Sequence, residues 1–248
     1  MKRFIALLIL VMTVGLASAQ EAKSAAPATA TAATEQVTSI PKTDWITDFN
    51  KIKIDAPINL TLRKIKEGEE VRIIYDTKGD ITSKFKYEVD RNGVLIVSEK
   101  VDPKRLTVTD VVIYYKELSS VKIAHAKAEF ENEIDSKIFD LSVSGGATVT
   151  LAIKTLDIAV ECTGTSSLVL EGETKYLSMR VSTAKVDCSK LSTVSTTVEA
   201  SHSAEVRVVV TERLEATTST GGKLLYKGTP TILRNHNALF GGDLININ

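Results

Sequence analysis

The stretch Phe139-Asp140-Leu141-Ser142-Val143-Ser144-Gly145-Gly146-Ala147-Thr148-Val149-Thr150-Leu151 decides the fold. Apolar and polar residues alternate up to Val143, a cluster of small residues interrupts, and the alternation resumes at Val149 and Leu151. Period two is the signature of a half-buried strand, and the Gly-Gly pair marks a sharp corner. The same figure recurs along the chain. Small or polar clusters begin at Ala124, Ser144, Thr163, Ser182, Ser201, Ser219 and Asn235, a spacing close to nineteen that shortens only at the last step. Apolar residues alternate before them, as in Ile158-x-Val160-x-Cys162 and Leu177-x-Met179-x-Val181, and after them, as in Leu168-x-Leu170, Val206-x-Val208 and Leu224-x-Tyr226. A period of two inside a period near nineteen means strand, corner, strand, return. One such unit cannot bury its own apolar face, but coils stacked about 4.8 Å apart share a continuous core. The sequence therefore predicts an all-β, single-stranded, right-handed parallel β-helix over residues 106–248, the hand following from the general rule for parallel crossovers. Gly145, Gly164 and Gly221 suit the corners because they lack a Cβ, and Asn and His tolerate the same left-handed backbone.

Outward from this region the pattern loosens. Residues 44–105 alternate at Ile52–Ile54, Ile58–Leu62, Val71–Tyr75, Phe85–Val89 and Val94–Val97, with turn signals at Glu67-Gly68, Lys78-Gly79-Asp80 and Arg91-Asn92-Gly93. They are expected to form longer, irregular coils of the same 44–248 domain. Residues 20–43 hold Ala, Thr and Ser with few large apolar side chains and read as a flexible spacer whose hydroxyls offer O-glycosylation sites. Residues 1–19 run from Lys2-Arg3 through an apolar stretch to Ala17-Ser18-Ala19, the order of a secretory signal peptide. The apolar stretch is shorter than the ~20 residues of a membrane-spanning helix. Cleavage before Gln20 would remove Lys2 and Arg3 from the 31 basic residues and nothing from the 31 acidic ones, a balance that gives nucleic acid no foothold. Export from a Gram-negative cell is the expectation, to the periplasm, the outer-membrane surface or beyond.

The recurring corners, Gly93-Val94-Leu95-Ile96-Val97 and the run Ser219-Thr220-Gly221-Gly222-Lys223-Leu224-Leu225-Tyr226-Lys227-Gly228-Thr229-Pro230 together resemble the head GIN domain family of autotransporter adhesins. The likeness covers most of residues 45–248, and Tyr226-x-Gly228-x-Pro230 is its most specific element. The Ser-Gly-Ser-Gly corners usual in that family are replaced by Ser-Thr-Ala-Lys at 182–185 and Ser-His-Ser-Ala at 201–204. The resemblance implies an envelope-associated β-helical protein named for adhesion, and it carries over no catalytic, cofactor or metal-binding residue.

The residues themselves point the same way. His125, His202 and His236 are expected at equivalent corner positions, His202 two coils (~10 Å) from His236 and His125 four coils (~19 Å) from His202, too far apart to share a zinc ion. Asp140, Ala159, Arg180 and Glu199 are expected in one outward column, with signs that alternate instead of converging. Glu69-Glu70 and Glu171-x-Glu173 read as solvated pairs. No Gly-x-Ser-x-Gly elbow or phosphate-cradling Gly-Lys-Ser/Thr loop occurs. Ser142, Ser144, Thr148 and Thr150 fit a wet strand face. Cys162 and Cys188 are expected inward but more than ~7 Å apart, beyond disulfide reach. The single Trp, Trp45, is expected to cover the open end of the core, and Tyr114, Tyr115 and Tyr226 are candidates for a surface contact. Leu244–Asn248 reads as an uncovered terminal strand, so end capping or self-association is expected. The function that fits is non-catalytic binding of a macromolecule or glycan through outer strand faces. The alternatives are a carbohydrate-active β-helix enzyme and a periplasmic scaffold. The enzyme would need acids roughly 5–9 Å apart in a cleft, the order of separation used in glycoside hydrolysis.

Overall fold

The computed structural model describes residues 40–79, 84–100, 105–237 and 240–248; the expected leader (1–19) and residues 20–39 of the expected spacer lie outside them. Seventeen strands and no helix occur among the described residues. The N-terminal part holds β1 (Lys42–Trp45), β2 (Lys51–Asp55), β3 (Asn59–Lys64), β4 (Arg72–Asp76), β5 (Lys86–Val89), β6 (Val94–Ser98), β7 (Asp110–Tyr115), β8 (Ser120–Ala124) and β9 (Lys127–Phe130). The body follows with β10 (Ile134–Ser144), β11 (Thr148–Thr163), β12 (Ser167–Ser182), β13 (Lys185–Ser201), β14 (Glu205–Thr218), β15 (Lys223–Lys227), β16 (Ile232–Asn237) and β17 (Asp243–Asn246).

The body is a β-solenoid of the expected period. Before the first corner, Leu141, Val160, Met179, Val198 and Ala216 stand in parallel register. After it, Val149, Leu168, Val186, Val206, Leu224 and Leu244 do the same. Successive members lie one full turn of chain apart, because the backbone must travel around the whole coil before the next strand can lie alongside in the same direction. Except for the half-buried Leu244, these side chains are buried and fill the interior with Phe139, Val143, Leu151, Ile153 and Ile158. A fully buried Val or Leu contributes about 1.5–3 kcal/mol, against at most about 1 kcal/mol for an exposed ion pair, so the interior column holds the coils together.

Two corners shape each coil. The first uses left-handed backbone: one residue in the shorter corners, His125 (φ +66°) and Thr183 (φ +56°), and two in the longer ones, such as Gly145-Gly146, Gly164-Thr165 and His202-Ser203. Gly145 is required twice over, since its φ is +65° and a Cβ there would lie 2.7 Å from Nε2 of His125 in the neighbouring coil. His236 departs from expectation: it lies on β16 opposite Thr217, and the last left-handed corner is Phe240-Gly241, where the Gly221 amide donates to the Gly241 carbonyl (2.8 Å). The corner after Gly221 therefore comes one regular turn later, at Gly241, and Asn235-His236-Asn237 is strand. The second corner is built on hydroxyls that the sequence reading did not single out. Ser136, Thr155, Thr174 and Thr193 stand in register. Ser136 and Thr174 donate to the carbonyls of Ile138 (2.8 Å) and Tyr176 (3.1 Å), and Thr155 donates to Thr174 (2.9 Å), a side-chain substitute for the backbone turn bond.

Residues 44–105 do not stack coil after coil. Strand β2 lies between β6 and β8, and β3 between β7 and β9, so the first coil in sequence is second in the stack. Antiparallel strands cover the outer edges: β4 on β7, β1 on β4 and β5 on β6. Their edges leave no parallel coil to template, which is how a solenoid end is blunted. Phe49 is buried and Ile46 packs against the core, whereas Trp45 is 67% exposed and does not cover it. Beneath the cap, Arg105 donates to Glu99 (2.7 Å), to Thr109 (2.8 Å) and to the Thr77 carbonyl (2.8 Å), and both charges are sealed from solvent.

Candidate binding face

The outward positions of β8 and β10–β13 form two neighbouring columns of contrasting size. One holds Ser120, Asp140, Ala159, Ser178 and Thr197. The next, two positions further along each strand, holds Lys122, Ser142, Glu161, Arg180 and Glu199. A floor of small side chains beside a wall of long charged ones produces an open trough of about 600 Å³. Arg180 therefore stands between Glu161 and Glu199, not in the column of Asp140, which continues to Ala159, Ser178 and Thr197. The Arg180 Nε donates to Glu199 at 2.9 Å, and that bond, with Glu161 close by, raises the guanidinium pKa further. Alternating sign makes the wall nearly self-neutralising. It offers hydroxyls, carboxylates and a guanidinium in a straight line, one or two groups per coil, to anything extended enough to follow it.

Glu171 takes Lys190 and Glu173 takes Lys154, each at 2.8 Å from a neighbouring coil. No group of three His, Cys, Asp or Glu side chains is placed to hold a metal ion among the described residues. His125 contacts Asp55 (3.2 Å) and His202 contacts Ser182 (3.2 Å). The tyrosines expected at the surface are inside: Tyr226 and Tyr115 point into the core, and Tyr114 is covered by Arg72, whose guanidinium lies 3.7 Å from the ring centroid. Burial pushes the Tyr115 phenol up to about 12, with no partner for its hydroxyl among the described residues. Cys162 and Cys188 are buried and free; burial pushes the Cys162 thiol up to about 12 and the Cys188 thiol higher, so both stay protonated and unreactive near neutral pH.

The family profile described as "Putative auto-transporter adhesin, head GIN domain" matches residues 48–230. The chain belongs to this family. Three solved structures share the fold of the head GIN domain described above. A "putative adhesin" from Bacteroides fragilis superposes with a TM-score of 0.73 at 17% identity, covering 84% of this chain and 96% of that one. Another "putative adhesin", from Parabacteroides merdae, gives 0.63 at 19% identity with the same coverage. A "putative lipid binding protein" from Parabacteroides distasonis gives 0.62 at 14%, again covering 84% and 96%. No curated protein matches the chain. At these identities the neighbours speak for the fold, and function has to be argued from the site.

Proposed function

We propose that this head GIN protein is exported behind the leader of residues 1–19, carried on the spacer of residues 20–43, and works without catalysis as an adhesin-like module. Its trough takes an extended polar macromolecule, a surface glycan or a polypeptide. The observation that carries this reading is the pairing of columns: the small residues Ala159, Ser178 and Thr197 beside Glu161, Arg180 and Glu199 at one group per coil. Single exposed contacts of this kind are weak, but a ladder engages a polymer many times over, and affinity accumulates with length. A lipid fits less well, because the space inside the coils is filled by Phe139, Leu141, Leu168, Leu177 and their neighbours.

The carbohydrate-cleaving alternative has one observation in its favour. Asp140 and Glu161 lie diagonally across adjacent strands in the same trough. Both are exposed, however, and nothing there excludes water from a reacting bond. A panel of immobilised envelope glycans and matrix polypeptides, probed with the purified protein and with Arg180→Glu, separates the readings. Retention of at least one polymer, reduced about tenfold by the substitution, supports binding through this trough. Retention unchanged by the substitution moves the site elsewhere, and cleavage abolished by Asp140→Asn would replace adhesion with hydrolysis.

A further inference from the structure

The trough has a second wall. Two positions before the floor residues Asp140, Ala159, Ser178 and Thr197, on the side away from the charged wall, Ile138, Asp157, Tyr176 and Ser195 stand in parallel register. The residues between these two columns, Phe139, Ile158, Leu177 and Thr196, are buried, so the second wall and the floor share one outer face. The region between Asp110 and Thr231 exposes three large apolar side chains, and two of them, Ile138 (64%) and Tyr176 (43%), stand here. They lie two coils apart, with the short polar Asp157 between them and Ser195 in the coil after. The charged wall keeps the same step: Glu161, Arg180 and Glu199 change sign at each coil and repeat after two. Tyr176, Ser178 and Arg180 thus form one rung, with an aromatic ring and a guanidinium on either side of a small floor residue.

We infer that the trough holds an uncharged glycan of equatorially linked pyranose rings, extended along the solenoid axis with one ring to each coil. This rests on the reading of the trough as a polymer site and names the polymer. Spacing decides between the candidates. Coils lie about 4.8 Å apart, so the two-coil pattern of both walls repeats every ~9.6 Å. A flat pyranose ribbon advances by close to one coil spacing per ring and turns each ring over relative to the last, so its own pattern repeats after two. An extended peptide repeats after two residues, about 6.7 Å, and falls out of step with the walls within a few coils. A polyproline helix comes closer in pitch, but such helices dock in aromatic-lined grooves, and from β10 to β13 the three columns hold the single ring of Tyr176. Pyranose chemistry suits the rung. The C–H face of a sugar rests on Tyr176 or Ile138, while its equatorial hydroxyls reach the carboxylates and guanidinium opposite. Charge sets the class of glycan. From β8 to β13 the columns carry Lys122 and Arg180 against Asp140, Asp157, Glu161 and Glu199, two positive groups to four negative, a net of −2 that disfavours polyanions.

Calorimetric titration of the purified protein with cello-oligosaccharides and N-acetylated chito-oligosaccharides of increasing length tests this. Affinity should rise with each ring up to about five, one for each coil from Ser120 to Thr197. Malto-oligosaccharides, with pyranose rings in a coiled chain, should bind at least about tenfold more weakly. Tyr176→Ala should weaken the five-ring oligomer about tenfold, and Tyr176→Phe by no more than a few-fold, since the ring face is used and the hydroxyl is not. Ala159→Phe should fill the floor and abolish binding. Both positions are exposed, so unchanged thermal unfolding shows that the variants are folded. Affinity that stays flat with ring number overturns the inference, as does binding indifferent to Tyr176→Ala and Ala159→Phe. Failure of both oligosaccharide series, with an acidic glycan or a polypeptide still retained in a manner sensitive to Arg180→Glu, overturns this inference and leaves the polymer-binding reading standing. Retention of no polymer at all overturns both.

Discussion

The body from Ile134 to Lys227 and the N-terminal third from Ile40 to Phe130 bury comparable side chains by different means. In the body every pairing between β10 and β15 is parallel and follows chain order, so each coil is specified by the one before it. In the N-terminal third the order is broken, three pairings are antiparallel, and specific polar contacts replace repetition: the sealed Arg105–Glu99 pair, Tyr87 donating to Asp44, and a cluster of Tyr75, Phe85 and Tyr87 with ring centroids 4.9–6.0 Å apart. The buried side-chain polar atoms without a partner among the described residues, Glu99 Oε2 and the Tyr115 hydroxyl, both lie in this third. A repeating element can hide its polar groups by doing the same thing in each coil. The element that ends the repeat has to solve a different problem at each position and leaves a few groups unmet.

Substitutions can break this contrast, beginning with the largest effect. Gly172 has a φ of +111°, and a Cβ there would stand 2.1 Å from the Ile153 carbonyl oxygen in the coil below. Gly172→Ala must push two coils apart in the middle of the body, and is expected to cost more than about 3 kcal/mol or to prevent folding, read as a lowered urea midpoint or loss of soluble protein. Arg105→Met leaves Glu99 charged and sealed from water, at a cost of about 3 kcal/mol. Its effect should stay local: hydrogen exchange should accelerate in β6 and β7 while the amides of β11–β13 keep their protection, and equal loss in both would show that the two regions unfold as one. Tyr115→Phe removes a hydroxyl that has no partner among the described residues, and should raise the urea midpoint by the equivalent of about 1 kcal/mol.

The body was the more legible region for the same reason. Alternation through Phe139, Leu141 and Val143 fixes which side faces inward, and recurrence near nineteen fixes which strands are neighbours; no other information is needed. Where the reading went astray, one residue type served two roles. Asn235-His236-Asn237 has the composition of a corner, yet the chain uses it as a strand, where Asn235, opposite the inward Ala216, is exposed. The column of Ser136, Thr155, Thr174 and Thr193 lay in plain view at the spacing of one turn, but hydroxyl residues are equally at home on an outward strand face. The outward columns of the candidate site were legible in kind but not in register. Arg180 stands two positions from the column of Asp140, which at the nineteen-residue spacing of the corners continues to Ala159, Ser178 and Thr197. The exposure of Trp45 and the burial of Tyr114 could not be read, because both depend on antiparallel pairings that leave no period in the sequence.

The seating of β2 and β3 between two later pairs of strands has a kinetic consequence. A solenoid wound strictly in order could close turn by turn as its N-terminus emerged from a ribosome or a translocation pore. Here the segment Lys51–Lys64 is not flanked on both sides until the chain has been delivered through Phe130, and the loops it must close on the way run from Lys51–Val94 at the shortest to Lys51–Ser120 at the longest. Long-range closure of that kind is slow, so nucleation should begin in the body, where partners are a single turn apart, and the N-terminal strands should dock last. Were the chain exported as proposed, leading with the segment that is slowest to fold would keep it open for the longest time.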